Sequence, residues 1–272
     1  MVGPGIPTLT YALRGIACVE VKIKGPKMDL HSGVYGGGVR NPALAAAQIA
    51  ASLHNEKNEI TIEGFYDGVA EPQQWEKDQW KSLPITEERI KALVGVDSLY
   101  GEEGYSYLER VWARPTAEVN GIGGGYQGEG SKTVLPSEAL LKLSFRLVPG
   151  QNPKDILEKV ESHIKGLDLK GLTVNVEMGH SGTPYICDPF SSFAKLALSS
   201  LEEVFGKSPC LIREGGSIPV VESFKQLLGA DTLLLGLALP DCRCHAPDEN
   251  FDLDCFEKGI ALNKALIANL AK

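Results

Sequence analysis

His31 stands in the segment Asp29-Leu30-His31-Ser32-Gly33-Val34-Tyr35-Gly36-Gly37-Gly38, between an acid and a hydroxyl and ahead of a glycine run. An imidazole titrates near neutral pH and can move a proton or ligate a metal. A loop histidine between two regular elements is placed to meet a ligand, and glycines let a backbone approach one closely. The same residues would also make a tight turn whose histidine caps a backbone group. His245 lies in Asp241-Cys242-Arg243-Cys244-His245-Ala246-Pro247-Asp248-Glu249, after an apolar run. A neutral imidazole there suits a metal ion, or a bond to its own loop. Cys242, Cys244 and His245 fall short of the four ligands, in paired short spacings, that a closed structural zinc site needs.

Arg146 interrupts the apolar stretch Ser144-Phe145-Arg146-Leu147-Val148-Pro149. A guanidinium in such a place pairs with a carboxylate, from the protein or from a ligand. Ser217, in Arg213-Glu214-Gly215-Gly216-Ser217-Ile218-Pro219, precedes a predicted helix. A hydroxyl there caps the helix or helps to hold an anion. No G-x-S-x-G elbow surrounds it to make it a nucleophile. The pairs Glu87-Glu88, Glu102-Glu103 and Glu202-Glu203 lie in charged stretches and read as solvated faces.

The elements that must position these residues are legible in outline. Residues 16–24 alternate apolar and polar and predict a strand. Asn41-Pro42 starts an alanine-rich helix, with Asn41 as N-cap and Pro42 in the first turn. Residues 60–62 predict a short strand, and the charged stretch 71–108 surface helices, one beginning at Thr86. Strands follow at 116–122 and 138–148, a helix from Pro153 to about residue 164, and a strand at 173–178. This succession predicts a ferredoxin-like layer of helices on a mostly antiparallel sheet. From Pro189 the pattern is α/β: a helix to Phe205, a strand at 209–212, a helix to about Leu228 and a closing helix at 251–271. Residues 232–239 predict a strand buried on both faces, whose C-terminal loop carries His245.

At 272 residues, 43% hydrophobic and 23% charged, the composition is that of a globular protein with a sizeable core. A net charge of -8 argues against a nucleic-acid or anionic-membrane partner. No apolar run reaches membrane-span length, and the first residues lack the basic and apolar regions of a secretory signal. The scattered cysteines fit reduced thiols in the cytoplasm better than a disulfide framework.

Taken in order, these segments resemble the co-catalytic metallopeptidase family of carnosine dipeptidases, bacterial dipeptidases, glutamate carboxypeptidases and aminoacylases, and most of all its carnosine-dipeptidase branch. The resemblance rests on Leu13-Arg14-Gly15, on Gly25-Pro26-Lys27-Met28-Asp29-Leu30-His31-Ser32-Gly33-Val34-Tyr35-Gly36-Gly37 and on Gly130-Ser131-Lys132-Thr133-Val134-Leu135-Pro136. It continues through the Arg146 strand, the Gly-Gly-Ser turn of Ser217 and the His245 loop, and spans nearly the whole chain.

The resemblance implies a ferredoxin-like lid, which carries the dimer interface, at 1–186, and the C-terminal part of an α/β catalytic domain at 187–272. It implies that His31 stabilises the oxyanion in the partner subunit's site, to which Thr133 also contributes. Arg146 would bind the substrate carboxylate, Ser217 would contact the substrate, and His245 would be the last metal ligand. The implied chemistry is hydrolysis of a dipeptide or related amide by a water activated between two divalent ions, zinc foremost, with manganese and cobalt also suited. The chain departs from the family in lacking a His-x-Asp pair, and its Glu-Glu pairs all follow the start of the lid. It is therefore expected to be a C-terminal portion that does not hydrolyse peptides alone. The alternatives are a non-catalytic dimerisation module and an unrelated small-molecule binder.

Overall fold

The computed structural model describes residues 1–271. The chain opens with β1 (Thr8–Leu13), whose six residues are all buried. One residue later β2 (Gly15–Lys24) begins, with alternate residues buried. β3 (Leu30–His31) leads into the single turn α1 (Ser32–Tyr35), and α2 (Pro42–Ala51) is capped by the Asn41 side chain. Three short helices follow: α3 (Gln74–Lys81), α4 (Glu87–Val94), capped by Thr86, and α5 (Tyr107–Trp112). Then come β4 (Thr116–Gly124), β5 (Val134–Leu135), β6 (Glu138–Leu147), α6 (Pro153–Gly166) and β7 (Thr173–Gly182). The last part holds β8 (Tyr185–Ile186), α7 (Ser192–Phe205), β9 (Cys210–Glu214), α8 (Pro219–Leu228) and α9 (Leu253–Leu270).

The larger sheet has the order β4-β6-β2-β7, with every neighbouring pair antiparallel. With α2 and α6 as its crossovers this is the expected split βαβ arrangement. Val19, Val21, Ile23, Leu141, Leu143 and Phe145 point to the helix side and are buried against Ala45, Ile49, Ile156 and Val160. The opposite face carries Cys18, Ser144 and Arg146, all half-buried.

The second sheet has the order β8-β1-β9, with β1 parallel to β9 and antiparallel to β8. Leu9, Tyr11 and Leu13 pack there against Ala194, Ala197 and Leu201 of α7 and Leu262 of α9. Residues 8–13 thus pair with 185–186 and 210–214, linking the stretch expected to be the lid to the stretch that follows it. A third cluster joins Trp80 of α3 and Trp112 of α5 to Ile212 of β9.

The predicted strand at 232–239 does not form. It is a half-buried, irregular segment with one bridge, Thr10 to Leu234, and no strand beyond it among the described residues. Without a second neighbour its apolar run has no ladder to join. Residues 60–62 likewise make only a bridge from Ile60 to His54. Glu102 is not a solvated residue: its carboxylate takes Arg114 in a bidentate pair, at 2.6 and 2.8 Å.

Candidate functional site

Two short strands bring His31 and Thr133 together. β3 pairs with β5, the Ser32 amide donates to the Thr133 carbonyl at 3.0 Å, and the Asp29 carboxylate accepts from the Ser137 amide and hydroxyl at 2.8 and 3.0 Å. Those bonds, the backbone one first, hold the Asp29 carboxyl below its ordinary pKa. His31 is exposed, and its Nδ1 accepts from the Gly33 amide at 3.0 Å. The capping role is therefore real. Because Nδ1 is an acceptor there, the neutral ring carries its proton on Nε2, which has no hydrogen-bond partner among the described residues.

A second group forms where the two sheets meet. Arg146 lies opposite Ile16 of β2 and Thr116 of β4. Its Nη1 donates to Ser217 Oγ at 3.1 Å, joining β6 to the turn before α8. No carboxylate contacts Arg146 among the described residues. The structural ion pair left open by the sequence is absent there, and the guanidinium is left available. Arg14, between β1 and β2, donates through Nε to the Gly215 carbonyl at 3.0 Å. Burial, and then the positive charge of Arg146, push its guanidinium down to about 10; it stays charged at neutral pH.

Beside Arg146 the edge strand β7 carries a bulge, because Ala17 faces Ser181 while Val19 faces Met178. A bulge re-aims side chains, and here His180 Nε2 lies 3.4 Å from Cys18 Sγ. Burial raises the pKa of that thiol while the charge of Arg146 lowers it. The sequence reading ended this strand at Met178 and missed both the bulge and the thiol–imidazole contact. It also gave Arg14 no role. The signal for Arg14 was its place in Leu13-Arg14-Gly15, one of the segments that carry the family resemblance.

His245 lies apart, exposed on the loop after residue 240 with φ of 62°. Arg243 and Asp248 also have φ of 55° and 62°, and the two form an ion pair at 3.0 Å. Three non-glycine residues in the left-handed region within one loop mark stored strain of a kind found at ligand sites. Among the described residues no group of three or more histidine, cysteine, aspartate or glutamate side chains is arranged to hold a metal. These residues alone do not fit a two-metal centre. No hydrogen bond or ion pair among the described residues joins the His31–Thr133 pair to the Arg146–Ser217 pair.

A family model described as the peptidase dimerisation domain matches residues 11–172. The Cys-Gly metallodipeptidase dug1 of Schizosaccharomyces pombe is 35% identical over 97% of this chain and 56% of its own length. The Beta-Ala-His dipeptidase of Homo sapiens is 26% identical over 98% of this chain and 53% of its own. The chain thus spans about half the length of the curated relatives it matches. A crystal structure described as an M20 family metallo-carboxypeptidase, Sso-CP2 from Sulfolobus solfataricus, superposes with a TM-score of 0.87 at 30% identity. That match covers 98% of this chain and 61% of the other. The ordered motifs, the ferredoxin-like layer and these matches agree: the chain belongs to the M20 metallopeptidase family, with the peptidase dimerisation domain matched over residues 11–172.

Proposed function

We propose that this chain supplies the dimer-forming and substrate-anchoring part of a metal-dependent dipeptidase acting on dipeptides or related amides. One observation carries this reading. Arg146 is a half-buried guanidinium held by the Ser217 hydroxyl, with no protein carboxylate in contact among the described residues. Such a group takes a carboxylate through two parallel hydrogen bonds. A dipeptide has its free carboxylate one residue from the scissile bond, so a fixed anchor there measures substrate length. In this reading Ser217 orients Arg146 and touches the substrate. The positive end of α8, which starts two residues later, favours the same anion.

His31 donates from Nε2 to the oxyanion that develops on the scissile carbonyl, with Thr133 beside it, in the site of a second subunit. One such donor accounts for about 10²–10³ in rate. Pairing through the lid, residues 1–186, would use the sheet edge at β4, where Val119 and Ile122 are 44% and 54% exposed. The remainder, 187–272, would carry His245 as a metal ligand. Bound divalent ions, zinc first and otherwise manganese or cobalt, would activate water and polarise the carbonyl. One imidazole does not hold two ions, so they would need ligands besides His245. The six free cysteines fit a cytoplasmic setting. A non-catalytic dimerisation fragment is the second reading, favoured by the absence of a three-donor cluster among the described residues.

Calorimetric titration with glycylglycine and with its C-terminal amide tests the anchor. The wild-type chain is expected to prefer the acid by about tenfold or more, from the ~1.5–3 kcal/mol of a charged hydrogen bond. Arg146→Ala is expected to abolish the preference. Equal preference in the two proteins would contradict the reading.

A further inference from the structure

We propose that Arg14 is a positioning residue for substrate carboxylate recognition, setting the place of the Arg146 anchor and adding a second positive charge at its turn. The inference rests on the anchor reading above and adds to it a residue from the other sheet. Arg14 is the single residue between β1 and β2, so its backbone is fixed by both sheets. Its amide donates to the Glu214 carbonyl at 3.2 Å and its Nε to the Gly215 carbonyl at 3.0 Å. Two residues further along the same turn, Ser217 Oγ receives Arg146 Nη1 at 3.1 Å. Arg14 thus grips one end of a short turn whose other end holds the anchor.

The turn has little room to shift. A Cβ on Gly215 would stand 2.9 Å from the Val111 carbonyl oxygen and 3.0 Å from Arg14 Nη2. Gly15, next to Arg14, is as confined, since a Cβ there would stand 2.6 Å from the Gly182 carbonyl oxygen. Both glycines are required by close approach, and together they lock the junction of the two sheets.

Charge gives the second argument. A carbonyl can be held by any neutral donor, yet this one is held by a guanidinium, two residues before the Ser217 hydroxyl that receives Arg146. Nη1 of Arg14 is buried with no hydrogen-bond partner. Glu118 and Glu214 act on Arg14 through space, as does Tyr107, but none bonds to it among the described residues. Two guanidinium groups bonded to one short turn bring positive charge there before a ligand arrives, which an anion relieves. This is preorganised electrostatics, built into the fold before the ligand comes.

The test repeats the acid-against-amide titration on the full chain with Arg14→Gln, Arg14→Lys and Gly215→Ala, each first shown to be folded by circular dichroism. Arg14→Gln is expected to weaken glycylglycine binding by about tenfold, the scale of one unit charge a short distance away. Binding of the amide should not change. Arg14→Lys keeps the charge but not the planar grip and should recover part of the preference. Gly215→Ala, which keeps both arginines, should lower it by displacing the turn. A merely structural Arg14 would weaken acid and amide alike, leaving their ratio at the wild-type value in every folded variant, and that result overturns the proposal. If Arg146→Ala removes the preference while the Arg14 variants keep it, this inference falls and the anchor stands. If the wild-type chain shows no preference, both fall.

Discussion

Glu76 shows how one buried charge can fix an element. It is 2% exposed on α3, and its Oε1 accepts from Arg213 Nε of β9 at 2.8 Å and from the hydroxyl of Tyr11 on β1. Its other oxygen closes a local capping box with the Gln73 amide at 2.6 Å, but the local sequence does not mark the partners of Oε1, which lie 65 and 137 residues away. Removing one partner of a buried pair strands the other. Glu76→Gln is therefore expected to lower stability by about 3–5 kcal/mol, read as the shift of the urea unfolding midpoint; a loss under about 1 kcal/mol would mean that Arg213 is solvated. The candidate site divides along similar lines. His31, Arg146, Ser217 and His245 stand out in the sequence by their local chemistry and Thr133 by the family resemblance alone, and the roles given to all five are the proposed ones. Arg14 does not stand out by its local chemistry, because its meaning depends on Gly215, 201 residues on.

At the scale of elements, the antiparallel layer was legible because its strands alternate and its helices carry clear caps at Asn41 and Asn152. β1 was missed because all six of its residues are buried, so no alternation shows. Residues 232–239 misled for the complementary reason: an apolar run gives burial but not a hydrogen-bonding neighbour. The edge at β4 is the element with most consequence for assembly. An unpaired strand with exposed apolar side chains is a template for another chain. With pairing along this edge, as proposed, the wild-type chain is expected to be a dimer in light scattering and the variant with lysine at both Val119 and Ile122 a monomer, with the circular dichroism unchanged. A variant that stays dimeric would place the contact elsewhere.

At the scale of the molecule, two sheets with separate cores meet at one junction, where Arg14, Arg146 and Ser217 gather, while His31–Thr133 and His245 lie apart from it. The turn 214–217 is held by Arg14 from one side and reaches Arg146 on the other, so the second sheet orients a side chain of the first. The metal-binding chemistry implied by the family resemblance is represented among the described residues by His245 alone. The proposed role of this chain is therefore substrate anchoring with His245 as one ligand. The most direct test is zinc equilibrium dialysis of the purified chain, with hydrolysis of a Cys-Gly dipeptide followed in the same samples. The account predicts fewer than two equivalents of zinc per chain and no turnover above the zinc blank. Two tightly held equivalents with dipeptide turnover, lost in His245→Ala, would contradict it.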